Sequence, residues 1–216
     1  MKKIFIIILI IIVLLITINN KVYYLEDFKV ATIKSEVDCN QNGIDDYSDI
    51  VIGARLDALN RVTYKSAYYS GGYPPDDEGV CTDLIWRAFK NAGYILKDLV
   101  DEDIKLNQDD YGIDIIDSNI DFRRVSNLKV FFERNALNLT IEAKDFSSFQ
   151  PGDIVTFGEK HIAIISDKRN YKGEPYLIHN ANQLFKREDN TFNYWVKKYG
   201  LSGHFRWENN FCKGDL

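Results

Sequence analysis

The sequence predicts an α+β domain, with helices in its first half packed on an antiparallel sheet built from its second half. Two observations carry this. Apolar residues recur at helical spacing in residues 46–62, 82–92 and 127–137. After them come "GDIVTF", "HIAIISD" and "PYLIHNA", short runs rich in β-branched and aromatic residues and separated by Gly, Asn, Lys and Pro. Helices first and strands later is the order of an α+β fold rather than an alternating α/β one. The 216 residues suffice for one sizeable domain, and no repeat or low-complexity tract interrupts them.

Taken in order, the chain opens on "MKKIFIIILIIIVLLITINNK". Two lysines precede an apolar run over residues 4–18, interrupted only by Thr17, the pattern of an export signal. Fifteen helical residues span roughly 22 Å against a ~30 Å hydrocarbon core, and snorkelling by the Asn residues that follow closes the gap. No small-residue cleavage site follows, so residues 1–20 read as an uncleaved signal-anchor, with a cleaved signal peptide as the alternative. The expected location is the cell membrane, single-pass with the domain outside the cytoplasm, or secretion. Residues 21–37 read as a stalk. The net charge of −5 offers no phosphate-neutralising surface, so a nucleic-acid partner is excluded. Of the three cysteines, Cys39 and Cys212 lie near the two ends of the exported part. Their pairing would leave Cys81 free; three reduced thiols are the alternative.

Residues 38–49, "DCNQNGIDDYSD", match the template of an EF-hand calcium loop. Asp38, Asn40 and Asn42 take positions 1, 3 and 5, and Gly43 takes the sharp turn at position 6. Ile44 offers its carbonyl at position 7, Asp46 stands at position 9 and Asp49 at position 12. Oxygen ligands at alternating positions converge when such a loop curls round one hard cation. Position 12 carries Asp where the template has Glu. The predicted cofactor is therefore a structural calcium, and the competing reading is an Asn/Asp-rich turn that caps the helix over residues 46–62, whose apolar set is Ile50, Ile52, Leu56 and Leu59.

"YYSGGYPPDDEG" is a turn-rich loop. Behind it, residues 82–92 form a helix with Gly93 as its stop. Cys81 stands at the helix start, where free N–H groups and the helix dipole favour a thiolate. Asp83 opposes this with its charge, or caps the helix. Residues 95–122 are acidic and read as irregular. His161 opens the strand "HIAIISD" and His179 closes "YLIHN". A hairpin centred on residue 170 sets 161 opposite 179, so the two imidazoles share a face. A nucleophile, a base and an orienting group is the logic of a catalytic triad. Asn180 is a second candidate orienter, and two ordinary polar residues at strand ends is the competing reading. His204 has no evident partner and reads as structural. Phe131, Phe132, Trp195 and Trp207 read as core. Arg123 and Arg124 are candidates for substrate carboxylates, against a simpler pairing with the acidic segment 98–121.

"YYSGG", then "VCTDLIWRAFKNAG", then "PGDIVTF" with "HIAII" and "IHN" together resemble the NlpC-type, papain-like cysteine peptidase and amidase superfamily of bacterial cell walls. Within it, "GGYPPDDEGVCTDLIWRAF", "NIDFRRVSNLKVFFERNA" and "PGDIVTF…HIAIISDKRN" are most similar to the family of unknown function numbered 1287. The likeness runs over residues 46–208. It implies a papain-like domain over residues 46–216, with Cys81 as nucleophile, His161 as base and His179 as orienter. Tyr68 takes the place of a tyrosine that contacts substrate or oxyanion. The departure is "CTD", where superfamily members read "CSG". The implied function is an exported cysteine peptidase or amidase cleaving an amide bond, with cell-wall peptide as substrate and no catalytic cofactor. A non-catalytic, calcium-stabilised wall-binding module and an acyltransferase using the same triad are the alternatives.

Overall fold

The computed structural model describes residues 5–8, 21–182, 187–208 and 212. Most of the apolar run over residues 4–18 lies outside them. Residues 5–8 are helical and exposed, and among the described residues no helix is long and apolar enough to cross a membrane.

Helix α1 (Asp46–Leu59) begins where Asp45 turns its carboxylate onto the Ser48 N–H, 3.3 Å away. Its inward face differs from the one expected. Ile50, Val51 and Ala54 are buried, whereas Leu56 and Leu59 are 52% and 72% exposed. The reason lies in its partner, helix α2 (Cys81–Asn91). The two helices approach so closely at Gly53 that a Cβ there would stand 2.5 Å from Asn91 Cβ. The small residues, not the largest apolar ones, choose the contact face. Helix α2 ends as the sequence predicts: Gly93 sits at φ +98° and its N–H donates to the Lys90 carbonyl at 3.1 Å. Before it, β1 (Thr63–Tyr64) and β2 (Glu78–Gly79) form a short parallel pair.

The acidic segment corrects the sequence reading. It holds helices α3 (Leu96–Leu106) and α4 (Gln108–Tyr111) and a 3₁₀ turn over Asp121–Arg123. Leu96, Leu99, Val100 and Ile104 form one buried stripe at helical spacing, beneath exposed Asp98 and Glu102. Helix α5 (Val125–Asn135) follows, with Leu128, Phe131 and Phe132 buried.

The sheet contains β3 (Leu137–Asn138), β4 (Ile154–Phe157), β5 (His161–Arg169), β6 (Pro175–Ile178), β7 (Glu188–Asp189) and β8 (Leu201–Arg206). Its order is β3-β8-β4-β5-β6-β7, antiparallel throughout. The α+β class predicted from the sequence is the class observed. Strand side chains alternate between two cores. Ile154, Ile162, Ile164, Ile178 and Phe205 face the helices α1, α2 and α5. Phe149, Val155, Phe157, Ala163, Ile165 and Leu177 face Phe192 of helix α6 (Phe192–Tyr199).

Two further segments are placed. Residues 21–37, expected as a stalk, lie along the domain: Tyr23 exchanges backbone hydrogen bonds with Arg169 at 3.0 and 2.7 Å, and Leu25 is buried. Cys39 and Cys212 form a disulfide with Cα atoms 5.3 Å apart, which leaves Cys81 as the free thiol.

Candidate active site

Cys81 is the first residue of α2 and is 5% exposed. Burial pushes its thiol up to about 11. The backbone N–H groups of Ile162, Thr82 and Cys81 itself pull the other way, and the Asp83 charge adds to the rise. The sulfur thus lies against β5, one residue from His161, and it is a neutral thiol at pH 7.

Asp83, the departure in "CTD", is fully buried and fully used. Its carboxylate takes the Val80 N–H at 2.8 Å, which caps the helix, and the Trp86 indole N–H at 3.0 Å. Arg123 then clamps it with two hydrogen bonds of 2.7 and 2.9 Å. Arg123 therefore meets neither a substrate carboxylate nor the acidic segment. Arg124 is exposed, 3.9 Å from Asp121.

On the sheet, Ile164 pairs with Ile178 and Ile165 with Leu177. Continuing that register sets 163 opposite 179, two residues away from the symmetric hairpin expected. The cause is the turn, which is centred on residue 172 rather than 170, since Arg169 pairs with Pro175 and the Asn170 N–H donates to the Glu174 carbonyl; an irregularity between Ile165 and Arg169 then takes back two of the four residues of offset. A shift of two leaves each side chain on its original face, so the imidazoles still meet diagonally. His161 Nε2 lies 2.7 Å from His179 Nδ1. His161 is buried, and its pKa is held well below the ordinary value, first by burial and then by the His179 charge. Asn180 does not reach His161; its amide donates to the Gly79 carbonyl at 3.1 Å. Trp195, expected in the core with Phe131, Phe132 and Trp207, is half-buried against the second core and also stacks on His161, with ring centroids 3.9 Å apart and planes 16° from parallel. Among the described residues no hydrogen bond joins Cys81 to His161. Such contacts often tighten only when substrate binds.

Three more residues of this neighbourhood escaped the sequence reading. Asp189 Oδ1 stands 3.2 Å from His179 Nε2, and the Thr191 hydroxyl donates to the same carboxylate. Tyr64 is raised above the usual phenol pKa by burial and then by the charges of Cys81 and Asp83, so its ring lies near the thiol. Tyr68, the tyrosine expected there, is 59% exposed and braces another loop: its hydroxyl donates to Asp117 at 3.2 Å and accepts from Asn119 at 2.9 Å. No motif marks Tyr64; only the parallel pairing of Tyr64 with Gly79 brings it to the start of α2. His204 has partners after all, the Thr140 carbonyl at 2.8 Å and Asp153 at 2.9 Å. Asp153, of the Pro-Gly-Asp turn, also binds Arg206 through two contacts of 2.8 Å. Both tie that turn to β8 and are structural.

The loop over residues 38–49 gathers part of its expected ligand set. Asp38 accepts the N–H groups of Asn42 and Gly43 at 3.1 and 2.8 Å. The amides of Asn40 and Asn42 converge on one Asp49 oxygen at 2.7 and 2.9 Å. Asp46 turns away, to the Tyr94 hydroxyl and the Cys39 N–H. Ile44 donates its N–H to the Asn42 side chain at 2.8 Å. Among the described residues no three His, Cys, Asp or Glu side chains stand ready to hold a metal. A cavity of about 610 Å³ opens beside this loop, lined by Asn40, Tyr73, Trp86, Lys90 and Tyr94. Lys90 stands nine residues from Cys81 on α2, half a turn of the helical wheel away, so this cavity serves the opposite side of the helix from the thiol.

The model of the domain of unknown function DUF1287 matches residues 51–207, a span that includes Cys81, His161, His179 and Asp189. The chain belongs to the DUF1287 family. An uncharacterized protein of Escherichia coli (strain K12), YijF, is 35% identical over 170 residues, which cover 73% of this chain and 80% of that protein. No solved structure matches. In this DUF1287 chain the family region contains the whole sheet and every residue placed around the thiol, whereas the loop over residues 38–49 and both disulfide cysteines lie outside it.

Proposed function

We propose that the protein is an exported cysteine hydrolase of the papain-like, NlpC type that cleaves an amide bond, with cell-wall peptide as its substrate. The observation that carries this reading is the 2.7 Å His161–His179 pair, whose first member precedes Ile162, the residue that turns its backbone N–H to the sulfur of a free cysteine at a helix N-terminus. The sulfur of Cys81 attacks the carbonyl carbon while its proton passes to His161. The tetrahedral oxyanion lies near the backbone N–H groups at the start of α2, with the Tyr64 hydroxyl as a further donor. Collapse expels the amine, which takes the proton back from His161. Water, activated by the same imidazole, then releases the acyl group from sulfur. The experiment is a digest of purified cell wall with the full-length protein, read by mass spectrometry. Peptide fragments with new amine and carboxylate ends are expected. Fragments in which an added amine has replaced water would favour acyl transfer instead. No change in the wall would overturn the reading.

A second reading has its own observation. A thiol this buried, with no hydrogen bond to His161, suits a non-catalytic wall-binding module, and binding of wall material without fragments would favour it.

We further propose that Asp38, Asn40, Asn42 and Asp49 hold a structural calcium. An Asn amide rotated by 180° presents oxygen where its nitrogen now lies, so both amides suit a cation placed against Asp49. The chain-folding role follows from position: Gly93, at the end of α2, would touch Asn40 with any added Cβ, so the loop seats that helix. A ligand of the folded state alone stabilises it by about 2.7 kcal/mol at a hundredfold excess over Kd. Millimolar calcium is expected to raise Tm by several degrees, chelator to reverse this, and Asp38→Ala to lose most of it. Calorimetry without a calcium-dependent shift would leave the segment as a capped turn.

A further inference from the structure

We propose that Asp189 is a positioning residue that fixes the protons of both imidazoles, so that Nδ1 of His161 is the bare nitrogen. The proposal deepens the hydrolase reading and rests on it for its use, though not for its geometry.

The argument is a count of donors and acceptors. Ring nitrogens 2.7 Å apart need one donor and one acceptor between them. At the far side of His179, Nε2 lies 3.2 Å from Asp189 Oδ1 and 3.4 Å from Thr191 Oγ1. An ionised carboxylate only accepts. The Thr191 hydroxyl gives its hydrogen to that same carboxylate, so toward His179 it too offers only a lone pair. Nε2 of His179 must therefore carry a hydrogen. A neutral His179 then has its lone pair on Nδ1. That lone pair takes the hydrogen on Nε2 of His161, and Nδ1 of His161 is left without one. It is the only nitrogen of that ring not spent on His179, so it is the one that can take the thiol proton. Reversing the chain would place a lone pair of His179 against the carboxylate, or a charge on an imidazole that is 1% exposed.

Asp189 is itself held in place. It lies in the two-residue edge strand β7, opposite Leu177, on the face that carries His179 two residues further on, just past the end of β6. Its neighbour Glu188 points to the other face. There Arg55 of α1 and Lys168 of β5 grip it at 2.6 Å each. The strand is thereby pinned from the side of the helices while Asp189 faces the imidazole. Trp195 fixes the plane of the His161 ring by stacking on it.

The test uses the full-length protein labelled with ¹⁵N at its three histidines, with signals assigned by single His→Gln variants. At pH 8 the wild type is expected to show hydrogen on Nε2 and none on Nδ1 for both His161 and His179. Asp189→Ala is expected to mix the His179 tautomers and to weaken the bare Nδ1 signal of His161. On a confirmed substrate it should lower kcat with KM unchanged. A wild-type spectrum with hydrogen on Nδ1 of His161 overturns the proposal whether or not the variant folds, and so does a folded Asp189→Ala with unchanged tautomers. If the wild type leaves the cell wall intact, the hydrolase reading fails while the spectra still decide the tautomers.

Discussion

Cys81→Ala is expected to abolish turnover, with a loss on the order of 10⁴- to 10⁶-fold on any amide the wild type cleaves, as for knock-outs of members of a catalytic unit. His161→Ala is expected to be equally inactive. The thiol pKa explains why the two stand together. With the thiol pushed up to about 11 by burial, attack depends on a base that removes the proton as the bond forms. His161, kept neutral by burial, is in the right state to do so. His179→Ala should cost less than His161→Ala, because an orienting group does not itself carry the proton. The check is single-turnover kinetics on a fragment released from cell wall, with circular dichroism to show that each variant is folded. Wild-type rate in either Cys81→Ala or His161→Ala would sink the assignment. A worse loss in His179→Ala than in His161→Ala would exchange the base and its orienter.

The class of the fold was legible because it depends on periodicity, which is local. The strands over residues 154–157, 161–169 and 175–178 announce themselves through β-branched runs between turn residues. Strand β8 does not. "LSGHFR" holds Ser, Gly and His, and it becomes a strand because β3 and β4 flank it on both sides. Helix α3 was hidden by its acidic outer face, although the buried stripe beneath follows the ordinary spacing. The site divides in the same way. Cys81, His161 and His179 were legible from the order of short motifs, and the last two survived a misjudged register because a shift of two preserves the face. Asp189, Thr191 and Trp195 were not. They lie in a polar stretch and a short helix whose sequences say nothing of their neighbours; the pairing of β7 with β6 brings Asp189 and Thr191 to His179, and the packing of α6 on the sheet brings Trp195. Tyr68 was misplaced for the converse reason: its motif matched, but the chain turns it toward Asp117 and Asn119.

Arg123→Ala is expected to lower stability by about 3–5 kcal/mol, the usual cost of removing one partner of a buried ion pair. The two side chains are 2% and 0% exposed, so no water replaces the guanidinium. Asp83 would keep the Val80 N–H and the Trp86 indole but lose both charge-assisted hydrogen bonds. The Ala67 carbonyl would also lose its donor, the Arg123 Nη1 at 2.8 Å. For a chain of this size each kcal/mol moves Tm by about 2–4 °C, so a fall of roughly 6–20 °C should be seen by calorimetry. Arg123→Lys should restore little, because a single ammonium cannot reproduce the two-pronged contact. Asp83→Leu combined with Arg123→Met tests the interpretation: the double variant should be more stable than Arg123→Ala, since no charge is left buried without a partner. A fall of less than 1 kcal/mol in Arg123→Ala would mean that the pair is wetter than its burial indicates. The position gives the pair a second consequence. Asp83 caps the helix that begins with Cys81, and its charge helps to hold the thiol protonated. The Asp83 carboxylate thus lies beneath the start of α2, paired with Arg123, and acts on Cys81 through the helix start.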